Sequence, residues 1–196
     1  MTPLKRVLAS LIVVGLVAGG AGAATWSAFS STTGNTGNSF TAGTVLLSDN
    51  DAGGAMLSLT LARPGDSDTG CILVTYGGSL GANVRLYATV SGALAPYLQV
   101  TITRGTDSSP SFDSCGSFTP DATDFLGLGA GIVYSGTLSA LPTAYASGLL
   151  DPVTGPLETW TSGESHSYRI KVQLADDSAA ENKTATATFS WEARNQ

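Results

Sequence analysis

Thr184-Ala185-Thr186-Ala187-Thr188-Phe189-Ser190-Trp191-Glu192-Ala193 is the stretch that decides the fold. Ala185, Ala187, Phe189, Trp191 and Ala193 alternate with Thr184, Thr186, Thr188, Ser190 and Glu192. Successive side chains of a strand point to opposite faces, so a period of two marks a half-buried strand of an antiparallel sheet. Tyr168, Ile170, Val172 and Leu174 repeat the pattern against Arg169, Lys171 and Gln173. So do Leu98, Val100 and Ile102 against Gln99, Thr101 and Thr103, and Val84, Leu86 and Val90 against Arg85 and Thr89.

Working outward, residues 40–47, 56–61, 71–76 and 132–137 read as further strands. Gly, Asp, Asn, Ser and Pro clusters at 49–54, 64–68, 77–83, 105–111 and 176–183 separate them, supplying the positive or fixed φ of tight connections. About eight short strands predict an all-β domain, an antiparallel β-sandwich or jelly roll with minor helix. Two stretches break the ladder. Residues 105–131 form a Ser/Asp/Pro-rich excursion, too long for an ordinary hairpin loop. Residues 142–148 open on Pro142 and stop at Gly148, the punctuation of a short helix.

The N-terminus reads as an export signal: charged Lys5-Arg6, an apolar run from Val7 to Val17, then small residues through Ala24. The apolar run is shorter than the roughly 20 residues of a spanning helix; counted through the Gly/Ala stretch it approaches that length, so a retained anchor is the alternative. Residues 1–27 are thus the expected signal and 28–196 the expected single domain, with no membrane association after cleavage. The small-x-small rule also allows a cut after Ala21-Gly22-Ala23. Losing Lys5 and Arg6 leaves seven basic against fifteen acidic residues, a net charge of −8. That balance argues against nucleic acid or anionic lipid as a partner. Charged residues make up only 12% of the chain, about half the usual fraction, with Ser, Thr, Gly and Ala in their place. In an exported chain the two cysteines, Cys71 and Cys115, read as one disulfide pinning the excursion; metal ligation and a redox pair are the rivals.

The junction carries a resemblance. Thr25-Trp26-Ser27, then Ala28-Phe29-Ser30, then Asn38-x-Phe40-x-Ala42-Gly43-Thr44-x-Leu46, looks like the start of the TasA/camelysin family of secreted bacterial matrix-fibre proteins. Arg63-Pro64-Gly65-Asp66, Val74-x-Tyr76-x-Gly78-x-Leu80, Gly163 to Tyr168 and Phe189-Ser190-Trp191-Glu192-Ala193 resemble that family's body in the same order. Tyr76-Gly77-Gly78 stands where the family has an asparagine-containing version. The resemblance implies cleavage between Ser27 and Ala28 by a SipW-type signal peptidase, and a fibre-forming role.

An enzyme is not expected. Camelysin has been described as a metallopeptidase, but a zinc peptidase needs two or three imidazoles and a carboxylate base, and this chain has the single histidine His166 beside Glu164. His166 reads as a residue at the start of a strand. No GxSxG elbow or phosphate-binding glycine loop occurs. No cofactor is expected. Structural calcium is the open case: Asp49-Asn50-Asp51-Ala52-Gly53-Gly54 begins like an EF-hand loop, but Thr60 stands where a bidentate Glu belongs. Asp66/Asp68, Asp121/Asp124 and Asp176/Asp177 are further loop pairs, read first as solvated turn residues. Asn182-Lys183-Thr184 fits the glycosylation sequon, read as chance.

A secreted structural subunit of cell-surface or biofilm-matrix fibres is therefore expected, self-associating or joined by a co-secreted matrix protein. Residues 28–39, small and Gly-rich, form the expected flexible assembly arm, with Phe29 and Phe40 as its anchors. A monomeric adhesin or glycan-binding module is the alternative, favoured by a platform of Trp160, Tyr145 and Tyr134 if these converge.

Overall fold

The computed structural model describes residues 30–33, 44–60, 62–154 and 158–195. The expected signal (residues 1–27), with Ser27, and Ala28, Phe29 and Phe40 lie outside them. Ten strands are present among the described residues: β1 (Ser30–Thr33), β2 (Leu47–Asp49), β3 (Ser67–Tyr76), β4 (Ala82–Ser91), β5 (Leu98–Asp107), β6 (Phe118–Pro120), β7 (Ile132–Thr137), β8 (Leu149–Leu150), β9 (Ser165–Leu174) and β10 (Thr186–Asn195). All pairs are antiparallel. One sheet runs β1-β10-β4-β8 and the other β2-β3-β9-β5-β6, with β7 also on β5. The fold is the all-β pair of sheets that the alternating stretches predict.

The period of two explains the core. On β4, Val84, Leu86 and Ala88 are buried, and in register with them on β10 come Ala193, Trp191 and the half-buried Phe189. From the larger sheet, Val74 and Tyr76 (β3), Val100 and Ile102 (β5), and Ile170 and Val172 (β9) enter the same cluster. Glu192, expected on the solvent face, is also buried. Tyr87 Oη donates to it at 3.0 Å and Arg194 Nε at 2.8 Å. Arg194 in turn stacks on Tyr145 at 4.0 Å, so part of the outer face is covered by the 142–148 segment.

The register defines two ends. Leu98 faces Leu174 at one end, the base, and Gly105 faces Ser167 near the other, the mouth. β3 runs from base to mouth, because Ser67 faces Gln173 and Thr75 faces Ser165. The β3–β4 turn and residues 118–131, 151–154 and 158–164 gather at the mouth, while residues 113–115 of the excursion lie against Cys71 in the middle of β3. The Cys71–Cys115 disulfide is formed and ties the excursion to β3, with Cα atoms 5.3 Å apart.

Several local expectations need correction. Residues 56–60 are not a strand: the Ser58 amide donates to the Asp68 carboxylate at 2.6 Å instead of to a ladder, while Met56, Leu57 and Leu59 still pack on the core. Within 40–47, only Leu47 is in a strand among the described residues. The helix expected over 142–148 shrinks to a single 3-10 turn, Tyr145–Ser147, since seven residues are too few to offset helix nucleation. Ser30–Thr33, read as part of a flexible arm, pairs with β10 of its own chain from Ser30↔Arg194 to Thr33↔Trp191. Strand pairing needs only backbone groups, so a segment of small polar residues can satisfy it. Among the described residues no helix is long and apolar enough to cross a membrane.

Candidate functional site

The inward face of β5 continues past Leu98, Val100 and Ile102 to Arg104, and that of β9 runs back from Tyr168 to His166. Two polar residues thus occupy core positions where the sandwich opens at its mouth. Arg104 is 5% exposed. Its Nε lies 3.1 Å from Asp151 Oδ1 and 3.5 Å from Asp121 Oδ2, and its Nη2 donates to Glu158 Oε2 at 2.6 Å. Nη2 also lies 2.8 Å from His166 Nε2, which approaches Glu164 Oε1 at 3.2 Å. Tyr168 Oη donates to the other Asp151 oxygen at 2.6 Å. Trp160, fully buried, packs edge-on against the His166 ring with centroids 4.7 Å apart.

Each partner is placed by a different element. Asp151 follows β8 and is fixed by its amide, which donates to Val84 O of β4. Asp121 follows β6, its amide bonded to Arg104 O at 3.1 Å. The cluster therefore clasps the two sheets together where apolar packing ends. Burial alone would lower the Arg104 guanidinium, but Asp151, Tyr168, Glu158 and Asp121 outweigh it and hold it above its ordinary value. For Asp151 the balance tips the other way. Burial pushes its carboxyl up, more than Arg104 and Tyr168 pull it down. The Tyr168 phenol is pushed well up, by burial first and then by Asp151. Burial also works against the Glu164 carboxylate, yet the Thr161 amide and His166 keep it below its usual range.

A sign follows for stability. A carboxyl whose folded value is raised contributes stability that is fully present below its unfolded value and lost as pH rises through the folded one. The advantage of the native chain over Asp151→Asn, which keeps an acceptor for Tyr168, is expected to fall between about pH 4 and pH 7. Urea midpoints at the two pH values measure it; a rising advantage contradicts it.

Asp151, Glu158 and His166 each bring one ligand atom within 4.8 Å of the others, the spacing of a three-ligand metal site. The Arg104 guanidinium contacts all three, so a second cation among them would meet its positive charge. The arrangement suits an internal clasp. His166 starts a strand as expected, but inside this cluster and not on an open edge.

The loop aspartates point at backbone amides. Asp51 accepts from Gly53 at 2.8 Å, Asp66 from Arg63 at 2.7 Å, Asp177 from Ala179 at 2.8 Å and Asp124 from Leu128 at 2.9 Å. In the loop read as EF-hand-like, Asn50 Oδ1 accepts from Leu73 at 3.0 Å. The aromatic platform is not formed: Trp160 is in the core, Tyr145 lies between Arg85 and Arg194, and Tyr134 Oη bonds Thr137 O on its own edge. Compared with known proteins, the chain matches no family model and no curated sequence.

Proposed function

We propose that the chain is a secreted structural subunit of cell-surface or biofilm-matrix fibres whose copies join by exchanging their first strand. The observation that carries this reading is the pairing of β1. It lies at a sheet edge, near the start of the domain, held by four register pairs to β10. The same strand from a second copy makes the same pairs, and an exchange that passes from copy to copy without closing builds a filament. β1 covers only Trp191 to Arg194 of that edge; Thr186 to Ser190 carry no strand there among the described residues. Beside Thr188 and Phe189 lies a groove lined by Met56, Leu57 and Phe112. The Cys71–Cys115 disulfide fits an oxidising compartment outside the cytosol.

Backbone pairing makes the interaction tolerant of sequence, and a side chain such as Phe29 or Phe40 supplies register. A co-secreted matrix protein with a similar strand is a further candidate partner. Deleting residues 28–38 is expected to leave the sandwich folded, with its near-ultraviolet circular dichroism intact, and to abolish filaments in electron micrographs. Filaments from the truncated chain would show that this strand is not what joins the copies.

A further inference from the structure

Thr186 to Ser190 form the half of β10 that no strand covers among the described residues, and nothing in their sequence guards that edge. Exposed sheet edges are commonly blunted by a lysine, a proline or a bulge. Thr184-Ala185-Thr186-Ala187-Thr188-Phe189-Ser190 carries no charge and no proline, and the register of β10 with β4 runs unbroken from Thr186↔Ser91 to Asn195↔Ala82. Thr186, Ala187 and Thr188 are exposed, and among the described residues no loop makes a backbone hydrogen bond to them.

The segment that would carry β1 on across this edge is too short to do so within its own molecule. In the register Ser30↔Arg194 to Thr33↔Trp191, Asn38 falls opposite Thr186. Thr44 is fixed at the other end of the sandwich. Its amide donates to Ser79 Oγ at 3.1 Å and its carbonyl accepts from the Ser79 amide at 2.7 Å, in the β3–β4 turn before Ala82. Thr186 and the level of Ala82 are separated by about 30 Å of β10. The chain from Asn38 to Thr44 reaches about 22 Å when fully extended. The arm can therefore follow β10 for about three residues past Thr33 before it must turn back to Thr44. Thr186 and Ala187 stay beyond its reach.

We infer that the strand exchanged between copies is longer than the one a copy pairs with itself: residues 34–38 of the incoming copy run on along Ser190 to Thr186. This inference rests on the fibre reading above. The incoming strand is tethered at Thr44 of its own body, so nothing draws it back to the acceptor's mouth. Continuity fixes its place, because residues 30–33 of the same strand already hold Trp191 to Arg194 in that reading. Pairing then covers β10 from Thr186 to Arg194, which self-pairing cannot do. The short tether thus makes self-pairing the less complete of two states, and the added backbone hydrogen bonds favour exchange. Asn38 of the donor ends at the acceptor's base, within a short linker of the donor's own mouth, so the copies follow one another head to tail.

The first test is the double variant Asn38→Cys/Thr186→Cys, oxidised after fibres have formed and run on a denaturing, non-reducing gel. Both native cysteines are already paired, so only the new thiols react. Residues directly opposite in an antiparallel pair have Cα atoms about 5 Å apart, within the range a disulfide spans. The expected result is a covalent ladder extending beyond dimers, whereas either single variant stops at dimers. Fibres that run as monomers overturn the extended pairing and leave the fibre reading standing. A native chain that makes no fibres overturns both. The second test inserts eight Gly/Ser residues between Phe40 and Thr41, which raises the reach from Asn38 to Thr44 to about 50 Å. The arm can then complete its own edge at an effective concentration in the millimolar range, so fibre growth at about 10 μM protein is expected to fall by about a hundredfold. In this background the two new cysteines should close within one chain. Growth at the native rate overturns the tether.

Discussion

Replacing Arg104 with alanine is expected to lower the free energy of unfolding by about 3–5 kcal/mol at neutral pH, the usual cost of stripping one partner from a buried ion pair. Arg104 and Asp151 are 5% and 6% exposed, so the abandoned carboxylate cannot regain full hydration. Glu158 and Asp121, nearer solvent, lose a partner at smaller cost. The loss has a characteristic pH dependence. Burial already holds the Asp151 carboxyl above its ordinary value, and removing Arg104 takes away the main neighbour pulling it down. Its protonated form is then the stable one in the fold, so the deficit is largest near neutrality and shrinks as pH falls. Urea unfolding at several pH values measures both features. A loss under about 1 kcal/mol, within the range of surface substitutions, contradicts the clasp.

Removing the disulfide is expected to cost about as much. Cys71 and Cys115 are 44 positions apart, and closing a loop of that length restricts the unfolded chain by about 4 kcal/mol. Native-state losses should concentrate in the excursion, because the link between β3 and residues 108–117 is otherwise slight. The Asp113 amide donates to Cys71 O at 2.9 Å, and the next contact, Arg169 over Phe118 at 4.9 Å, joins β9 to β6 and not β3 to this stretch. Cys71→Ala/Cys115→Ala should therefore unfold at lower urea and be cut by protease first between β5 and β7. Unchanged stability with an uncut excursion contradicts this account.

The sheets were legible in the sequence because antiparallel strands with one buried face write their orientation as alternation. Tyr168 to Leu174 and Leu98 to Ile102 are buried at every second residue as the pattern requires. The clasp was harder to see, since its members come from β5, β6, β8 and β9 and meet only in three dimensions. One signal was present. Arg104 and His166 fall in phase with the buried residues of their strands, and a charge in a core phase needs partners. The 56–60 segment misled because its apolar residues do pack inward while its amides bond elsewhere. Ser30–Thr33 misled in the opposite sense: small polar residues signal a poor core, but an edge strand can be held by backbone alone.

The central claim is that copies of this chain join end to end through an exchanged strand. Exporting the native chain, fixing its mature N-terminus by sequencing, and following the product by size exclusion and negative-stain electron microscopy tests it most directly. The expected course is a monomer peak that declines as filaments with a regular axial repeat appear. A protein that begins at Ala28, stays folded, and remains monomeric at millimolar concentration contradicts the account.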